Sequence, residues 1–335
     1  MSVLISKMLI RADTDVCYAI IVKKENAASI TDFLPEGHPV MTIDGKNHLE
    51  RLKQICRVIR KVRPDAVFSS HYSINNKVLL FRPFFPKVKF VIRSDNYFYT
   101  FSRWGKLIIR MTYPFADVMI AQTQEMKDEF VRHKVMEESK ICALENPVDK
   151  ETIDAKLQNA GSPYPEDGKK HIVAVGRFAY QKGYDLLVEA FAKLRAKRDD
   201  CELFIVGAYT EKWKPEYDKV IKMAEQLGLS DCIHYVGYQE NPYRYVKYAD
   251  CFVLSSRWEG LPNVLAEALY LGTPAAAFKC IPIIERMVRE GKDGFLAEKE
   301  DVEGLAAAIC KAVDMGKTNP VYAGAKEDDF VRLFR

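Results

Sequence analysis

Along the second half of the chain, short apolar runs alternate with longer stretches whose apolar residues recur at helical spacing. The runs are HIVAV (171–175), ELFIVG (202–207), CIHYVG (232–237), CFVLSS (251–256) and TPAAAF (273–278). Between them, DLLVEAFAKLRAK (185–197) predicts a helix that Asp185 can cap. A second helix over about 215–227 stops at Gly228, a short one falls near 242–248, and another follows Asn263 with Gly272 past its end. Apolar strands alternating with helices predict a parallel sheet covered on both faces.

The first half repeats the pattern. VCYAIIV (16–22), AVFSS (66–70), VKFVI (88–92) and DVMIAQT (117–123) read as strands, and residues 47–63 and 124–134 as helices. Turn formers and charges crowd AGSPYPEDGKK (160–170), so residues 150–170 are expected to link two domains. The predicted division is 1–149, 150–319 and a tail at 320–335, with both domains doubly wound and Rossmann-like (α/β). Ligands in such sheets sit beyond the carboxyl ends of the strands. One feature runs against the pattern: Val3, Leu4, Lys7, Met8 and Arg11 have helical spacing. Where a doubly wound domain opens with a strand and a Gly-rich turn, this chain opens on a helix. The first domain is therefore expected to lack its opening strand, and EDDFVRLFR (327–335) to be too short for a returning helix.

With 335 residues, the chain has length for two cores, and charges interrupt every apolar run before it reaches a membrane span. The first residues lack the form of a secretory signal. Eight cysteines lie scattered without a CxxC pair, which argues against zinc or dithiol chemistry and for a reducing cytoplasm. Residues 1–150 hold 24 Lys+Arg against 17 Asp+Glu, a balance of +7, while the remainder has 26 against 29, or −3. Within 77–110 there are eight basic residues and only Asp95 as an acid, among nine aromatics from Phe81 to Trp104. That mixture suits nucleic acid or an anionic membrane surface, and equally a solvated face over buried aromatics.

Three loops after strands of the second half carry chemistry. GRFAYQKG (176–183) places Arg177 and Lys182 at a strand's carboxyl end, where a guanidinium fork and an ammonium can hold phosphate oxygens. SSRWEGLPNVLAEAL (255–269) runs from strand through turn to helix. Free N–H groups near Asn263 and Val264 make an anion site, and Glu259 and Glu267 can accept from sugar hydroxyls. Glu267 could otherwise be an ordinary exposed helical glutamate. VGYQENPY (236–243) offers Tyr238 for stacking on a base, or simply for packing. No GxGxxG or GxxxxGK[ST] loop occurs, so the usual dinucleotide and ATP fingerprints are absent.

The phrases VGRFAYQKGYDLLVEAF, ADCFVLSSRWEGLPNVLAEALYLGTP and EGKDGFLA make residues 171–310 resemble the donor half of retaining glycosyltransferases of family 4, which have the GT-B fold. The first half resembles the acceptor domain more weakly, through ADVMIAQTQEMKDEF and ENPVD. The resemblance implies that Arg177 and Lys182 bind a diphosphate, that Glu267 holds ribose hydroxyls, and that Glu259 contacts the transferred sugar. Gly260, Leu261, Asn263 and Val264 would line the donor, and Tyr238 its base. It also implies a metal-independent, cofactor-free transfer of a hexose or N-acetylhexosamine from a UDP-sugar to a polysaccharide or lipid-linked glycan. The expected setting is cytoplasmic, with peripheral contact to anionic membrane and no nucleic acid. Two departures stand out. In the slot of the family's histidine, IRSDNYF has Asp95, which can hydrogen-bond sugar or acceptor, or cap the next element. KCIPIIERM keeps Glu285 but lacks the family's glycine pair. These departures, with the opening helix, keep a non-catalytic nucleotide-sugar-binding relative or scaffold as the alternative.

Overall fold

The computed structural model describes residues 2–21, 34–320, 322 and 324–335; Val22, the end of the first expected strand, lies outside them. The chain divides into one unit of Met1–Pro147 with Ala325–Arg335, and another of Val148–Gly324.

In the second unit, six parallel strands form one sheet. They are β7 (Lys170–Val175), β8 (Cys201–Val206), β9 (Ile233–Gly237), β10 (Cys251–Leu254), β11 (Ala275–Phe278) and β12 (Gly294–Ala297), in the order β12-β11-β10-β7-β8-β9. Every residue of β8, β10 and β11 is buried, as a sheet with helices on both faces requires. Helix α7 (Tyr184–Arg195) follows β7 and packs on α8 (Lys214–Gln226) and α12 (Val302–Ala312). The remaining helices are α9 (Tyr243–Tyr248), α10 (Asn263–Tyr270) and α11 (Ile283–Met287). Strand order reverses at β7, whose neighbours are β8 on one side and β10 on the other. The loops leaving β7 and β10 therefore emerge side by side, at the switch point where doubly wound sheets bind ligands. The expected linker is partly wrong: Lys150–Leu157 forms a helix, α6, capped by Asp149 through the Thr152 N–H.

The first unit opens on helix α1 (Ser2–Arg11), followed by β1 (Tyr18–Ile21) and β2 (Val40–Ile43), which pair with each other in parallel. After α2 (His48–Val62) come β3 (Ala66–Ser69), α3 (Tyr72–Leu79), β4 (Lys89–Arg93), α4 (Arg103–Thr112), β5 (Val118–Ala121), α5 (Gln124–Arg132) and β6 (Ile141–Ala143). Strands β3 to β6 make a four-stranded parallel sheet. Among the described residues β1 and β3 share no partner, so this unit's sheet is in two pieces.

The expected separate tail is corrected. Residues 325–335 belong to the first unit, where helix α13 (Glu327–Val331) buries Phe330 and Val331 against Leu4, Ile5, Met8 and Leu9 of α1 and Val91 and Ile120 of the sheet. Arg11 clamps Glu327 at 2.9 and 3.0 Å, and the Phe334 ring meets Phe68 edge-on at 5.6 Å. The basic aromatic stretch divides. Phe90, Tyr97 and Phe98 are core, whereas Phe84, Tyr99 and Trp104 are exposed.

Candidate functional site

The loops leaving β7 and β10 are fastened to each other. Gly183 sits at φ 61°, and a Cβ there would run into the carbonyl oxygen of Ser255, so only glycine lets the two backbones meet. Ser255 Oγ donates to the Lys182 carbonyl at 2.8 Å, and Arg257 N–H to the Gln181 carbonyl at 2.8 Å. Gln181 in turn donates to the Trp258 carbonyl at 2.8 Å. Arg257 completes the joint from the β10 side. Its guanidinium binds both Asp185 carboxylate oxygens at 2.8 Å, donates to the Tyr180 carbonyl at 2.9 Å, and lies 4.0 Å over the Tyr180 ring. Burial pushes the Asp185 carboxyl up, but hydrogen bonds from Arg257 and Lys219 more than offset this and hold it well below the usual range. Asp185 is thus no helix cap: Gly183 holds that position, and Asp185 is spent on Arg257.

On this platform half-buried Lys182 and buried Glu259 form an ion pair, Nζ to Oε1 at 2.8 Å. Ser256 Oγ donates to the same oxygen at 2.7 Å. The second oxygen is 3.4 Å from Gln181 Nε2. Glu259 is only 7% exposed and is fixed by these contacts. The resemblance implied separate partners for Lys182 and Glu259; the geometry makes them one unit. The Tyr184 hydroxyl is buried without a partner, and burial, with the nearby Glu259 charge, raises its pKa and keeps it protonated. Arg177, by contrast, is exposed and makes no side-chain hydrogen bond or ion pair among the described residues.

Buried Gly260, Leu261 and Pro262 lead into α10. The N–H groups of Leu265 and Ala266 bond back to the Pro262 carbonyl, and no side chain caps the helix. The Val264 N–H has no partner among the described residues and points out of the helix start, as the first N–H groups of any helix do. Asn263, the first residue, is half-buried. Glu267 lies one turn on, half-buried and without a side-chain partner among the described residues; burial pushes its carboxyl up to about 7. Tyr238, after β9, is 63% exposed and free to meet a planar group. Glu285, retained without the glycine pair, is exposed and 3.5 Å from Lys279.

Asp95 belongs to the first unit, in the loop after β4. Its Oδ1 is buried without a partner, and Oδ2 is 3.9 Å from His71 Nε2. His71 Nδ1 accepts the Ser73 N–H at 3.3 Å to cap α3, so in the neutral ring the proton sits on Nε2, facing Asp95. Beside it runs a buried polar chain. Arg93 donates to Asn146 at 2.6 Å, Asn146 to Gln122 at 3.1 Å, and Gln122 to the Ser94 carbonyl at 2.8 Å. Desolvation pulls the Arg93 guanidinium down to about 10.

Arg257, Gln181, Ser256, Tyr184 and His71 escaped the sequence reading. Glycine 183 and the RWEG phrase were visible, but nothing in the order of residues joins Arg257 to Asp185, 72 positions away. A separate group, Asp167, His171 and Glu202, brings ligand-type atoms within 4.8 Å of one another. It lies at the amino end of the sheet, and Lys169 already sits between Glu202 and Asp167, supplying the cation these carboxylates need. Two surface hollows of about 400 and 460 Å³, one in each unit, are lined by none of the site residues.

An uncharacterized glycosyltransferase of Methanocaldococcus jannaschii is 30% identical over 251 residues, 69% of this chain and 60% of the relative. An N-acetylgalactosamine-N,N'-diacetylbacillosaminyl-diphospho-undecaprenol 4-alpha-N-acetylgalactosaminyltransferase of Campylobacter jejuni is 27% identical over 69% of this chain and 61% of its own length. This chain thus spans about 60% of these relatives. In fold, it matches Anabaena Alr3699/HepE in complex with UDP and glucose at a TM-score of 0.76, with 15% identity, over 99% of this chain and 90% of that one. A sucrose-phosphate synthase from Thermosynechococcus elongatus matches at 0.72, with 16% identity, over 99% and 88%. These likenesses place the fold among the GT-B glycosyltransferases. The family profile of glycosyl transferases group 1 matches residues 158–326, the very stretch that builds the two fastened loops, and the chain belongs to that family.

Proposed function

We propose that this protein transfers a hexose or N-acetylhexosamine from a UDP-sugar to a polysaccharide or lipid-linked glycan, with retention at the anomeric carbon. The observation that carries this reading is the chemistry gathered at the switch point. An exposed guanidinium on Arg177, a largely buried Lys182–Glu259 pair, an uncapped helix start at Val264, and Glu267 with no side-chain partner among the described residues lie in two adjoining loops and helix α10 of one unit. Cations and a helix N-terminus suit a diphosphate; carboxylates suit sugar and ribose hydroxyls. The names of relatives agree: one acts on a diphospho-undecaprenol-linked sugar, and two Rhizobium meliloti proteins are lipopolysaccharide core glycosyltransferases.

In the proposed reaction the bond from the anomeric carbon to the β-phosphate oxygen breaks while the acceptor oxygen bonds to that carbon from the same face. The acceptor proton passes to the departing phosphate oxygen. Negative charge grows on the diphosphate, where Arg177, Lys182 and the α10 start stabilise it without reorganising. Glu259, held by Lys182, Ser256 and Gln181, is a fixed acceptor for a sugar hydroxyl. Asp95 is proposed as an acceptor for a hydroxyl bound to the first unit.

One observation favours the second reading, a nucleotide-sugar-binding relative without turnover: the divided sheet of the first unit. Calorimetric titration with UDP and UDP-sugars, followed by a transfer assay on lipid-linked acceptors, tests both. Saturable UDP-sugar binding with transfer supports the enzyme; binding without turnover on any acceptor supports the relative. No binding of either nucleotide overturns both.

A further inference from the structure

We propose that His171, Glu202, His234 and Asp167 bind a zinc ion at the amino end of the second unit's sheet, opposite the loops proposed to hold the nucleotide. Three of the four are the second residues of adjacent parallel strands: His171 of β7, Glu202 of β8 and His234 of β9. Register puts them on one face. His171 lies across from Glu202, and His234 across from Phe204, two positions further along β8. Asp167 approaches from the segment before β7, where its Oδ1 accepts the Lys169 N–H at 3.0 Å. Aromatic rings hold both imidazoles in place. His171 stacks on Tyr164 at 4.4 Å with the planes 4° apart, and His234 stacks on Phe204 at 4.4 Å.

His171 points to an ion rather than to hydrogen bonds alone. It is 7% exposed, and its Nε2 is buried without a hydrogen-bond partner, 3.7 Å from Asp167 Oδ1. A buried polar atom left unsatisfied is costly, and native structures keep few of them without a reason. Lys169 answers the two carboxylates but leaves this nitrogen as it is. A zinc ion would serve the imidazoles and the carboxylates together. Nitrogen and oxygen ligands about 2.0–2.2 Å from a tetrahedral zinc stand roughly 3.3 Å from one another. The separations here bracket that value. His234 Nε2 is 3.0 Å from Glu202 Oε2, His171 Nε2 is 3.7 Å from Asp167 Oδ1, and ligand atoms of Asp167, His171 and Glu202 all lie within 4.8 Å. Two imidazoles beside two carboxylates suit zinc better than magnesium or calcium, which favour oxygen. The Lys169 side chain is exposed and can turn out to water as the ion enters, so it acts as a competitor built into the site. A bound ion would tie three strands to the segment before β7. The inference is independent of the transfer reaction, since none of the four residues belongs to the proposed donor site.

The test uses the whole chain, with zinc titrated by calorimetry and cobalt as the spectroscopic probe. The expected result is one ion per chain, a raised Tm, and the visible absorption of tetrahedral cobalt without a near-ultraviolet thiolate band, because no cysteine belongs to the set. Loss of an outer-shell partner alone costs a metal site roughly 10–100-fold in affinity, so removing a ligand with His234→Gln should cost at least tenfold. His234 is half-buried, and circular dichroism should be unchanged by its substitution. Lys169→Gln should instead tighten zinc severalfold by removing the competitor. A lysine that only completes a salt-bridge network predicts no zinc binding with or without this change, and that result overturns the proposal. So does zinc affinity unaltered in His234→Gln, or a thiolate band in the cobalt spectrum.

Discussion

The two units are built on the same strand–helix plan, yet they hold their functional ends together in different ways. In the second unit one continuous sheet delivers two loops side by side, and a buried guanidinium bolts them together. In the first, the sheet is in two pieces, and the polar chain from Arg93 through Asn146 and Gln122 joins β4, β5 and the segment after β6 with single hydrogen bonds. The first unit also leaves an apolar helix face exposed, while the second spends its charges internally. One unit ties its loops to each other; the other links its strand ends through a buried polar chain.

The sharpest way to break the contrast is to remove the bolt. Arg257→Ala would leave Asp185 buried with Lys219 alone, and breaking a buried pair from one side costs about 3–5 kcal/mol. The loss should appear in the urea unfolding of the second unit and should take UDP binding with it. Arg93→Ala, the counterpart in the first unit, gives up one bond to Asn146 and should leave UDP affinity unchanged. If Arg257→Ala unfolds no earlier than the parent protein, the rigidity assigned to these loops is wrong.

Arg177 separates catalysis from architecture. It is exposed and unpartnered among the described residues, so Arg177→Ala should shift stability by no more than about 0.5 kcal/mol. Turnover should nonetheless fall by roughly 100- to 1000-fold if its charge acts on the departing diphosphate. Steady-state kinetics beside calorimetry distinguishes the cases. A rise in KM with kcat intact would assign Arg177 to ground-state binding instead.

The contrast also explains what could be read from sequence. In the second unit the central strands are largely buried and therefore mostly apolar, so HIVAV, CFVLSS and TPAAAF announced themselves, and Arg177, Lys182 and Glu259 could be picked out as candidates from their places after strands. What stayed hidden was pairing across distance. Nothing in DLLVEAF says that Asp185 answers Arg257 rather than capping its own helix, or that Lys182 and Glu259 share a bond. The first unit was harder. Strands β2 and β6 are only four and three residues long, too short for their apolar residues to mark them as strands. Helix α4 was lost because its apolar and basic residues read as one mixed stretch until the helix sorted them onto separate faces. Residues 327–335 read as too short for a returning helix, yet Phe330 is fully buried, and α1 supplies apolar partners for it.

Glu267 sharpens the comparison by trading stability for binding. Its folded carboxyl titrates at about 7, raised from 4.5 by burial. The folded protein therefore holds this proton more tightly than the unfolded chain, and the group costs stability as pH rises from about 4.5 through about 7. Glu267→Gln should thus raise the Tm above pH 7 and leave it unchanged below pH 4.5. Binding should move the other way. Ribose hydroxyls donate to the ionised carboxylate, so UDP affinity of the parent protein should rise through pH 7 more steeply than that of Glu267→Gln, a comparison that cancels the ligand's own titration. Glu267→Ala should weaken UDP by about 1–3 kcal/mol. A Gln variant with unchanged Tm at pH 8 and unchanged affinity would remove Glu267 from the site.

The smallest effect expected is the most direct test of the division between units. Every residue proposed to touch the nucleotide lies within residues 148–324, which hold a complete six-stranded sheet and its covering helices. A chain of 148–324 should therefore bind UDP within about threefold of the full protein, a difference under 1 kcal/mol. Where the chain is cut matters. One ending at 335 would carry Phe330 and Val331, whose buried contacts are with α1, Val91 and Ile120 of the absent unit, and it should be less soluble for that reason. Transfer should be lost in both, because acceptor binding is assigned to the first unit. Calorimetric titration of UDP into the full chain and the two fragments measures the first point, and sedimentation the second. A loss of tenfold or more in the folded 148–324 fragment would mean that the first unit contributes to nucleotide binding, and the separation of roles drawn from the two sheets would fail.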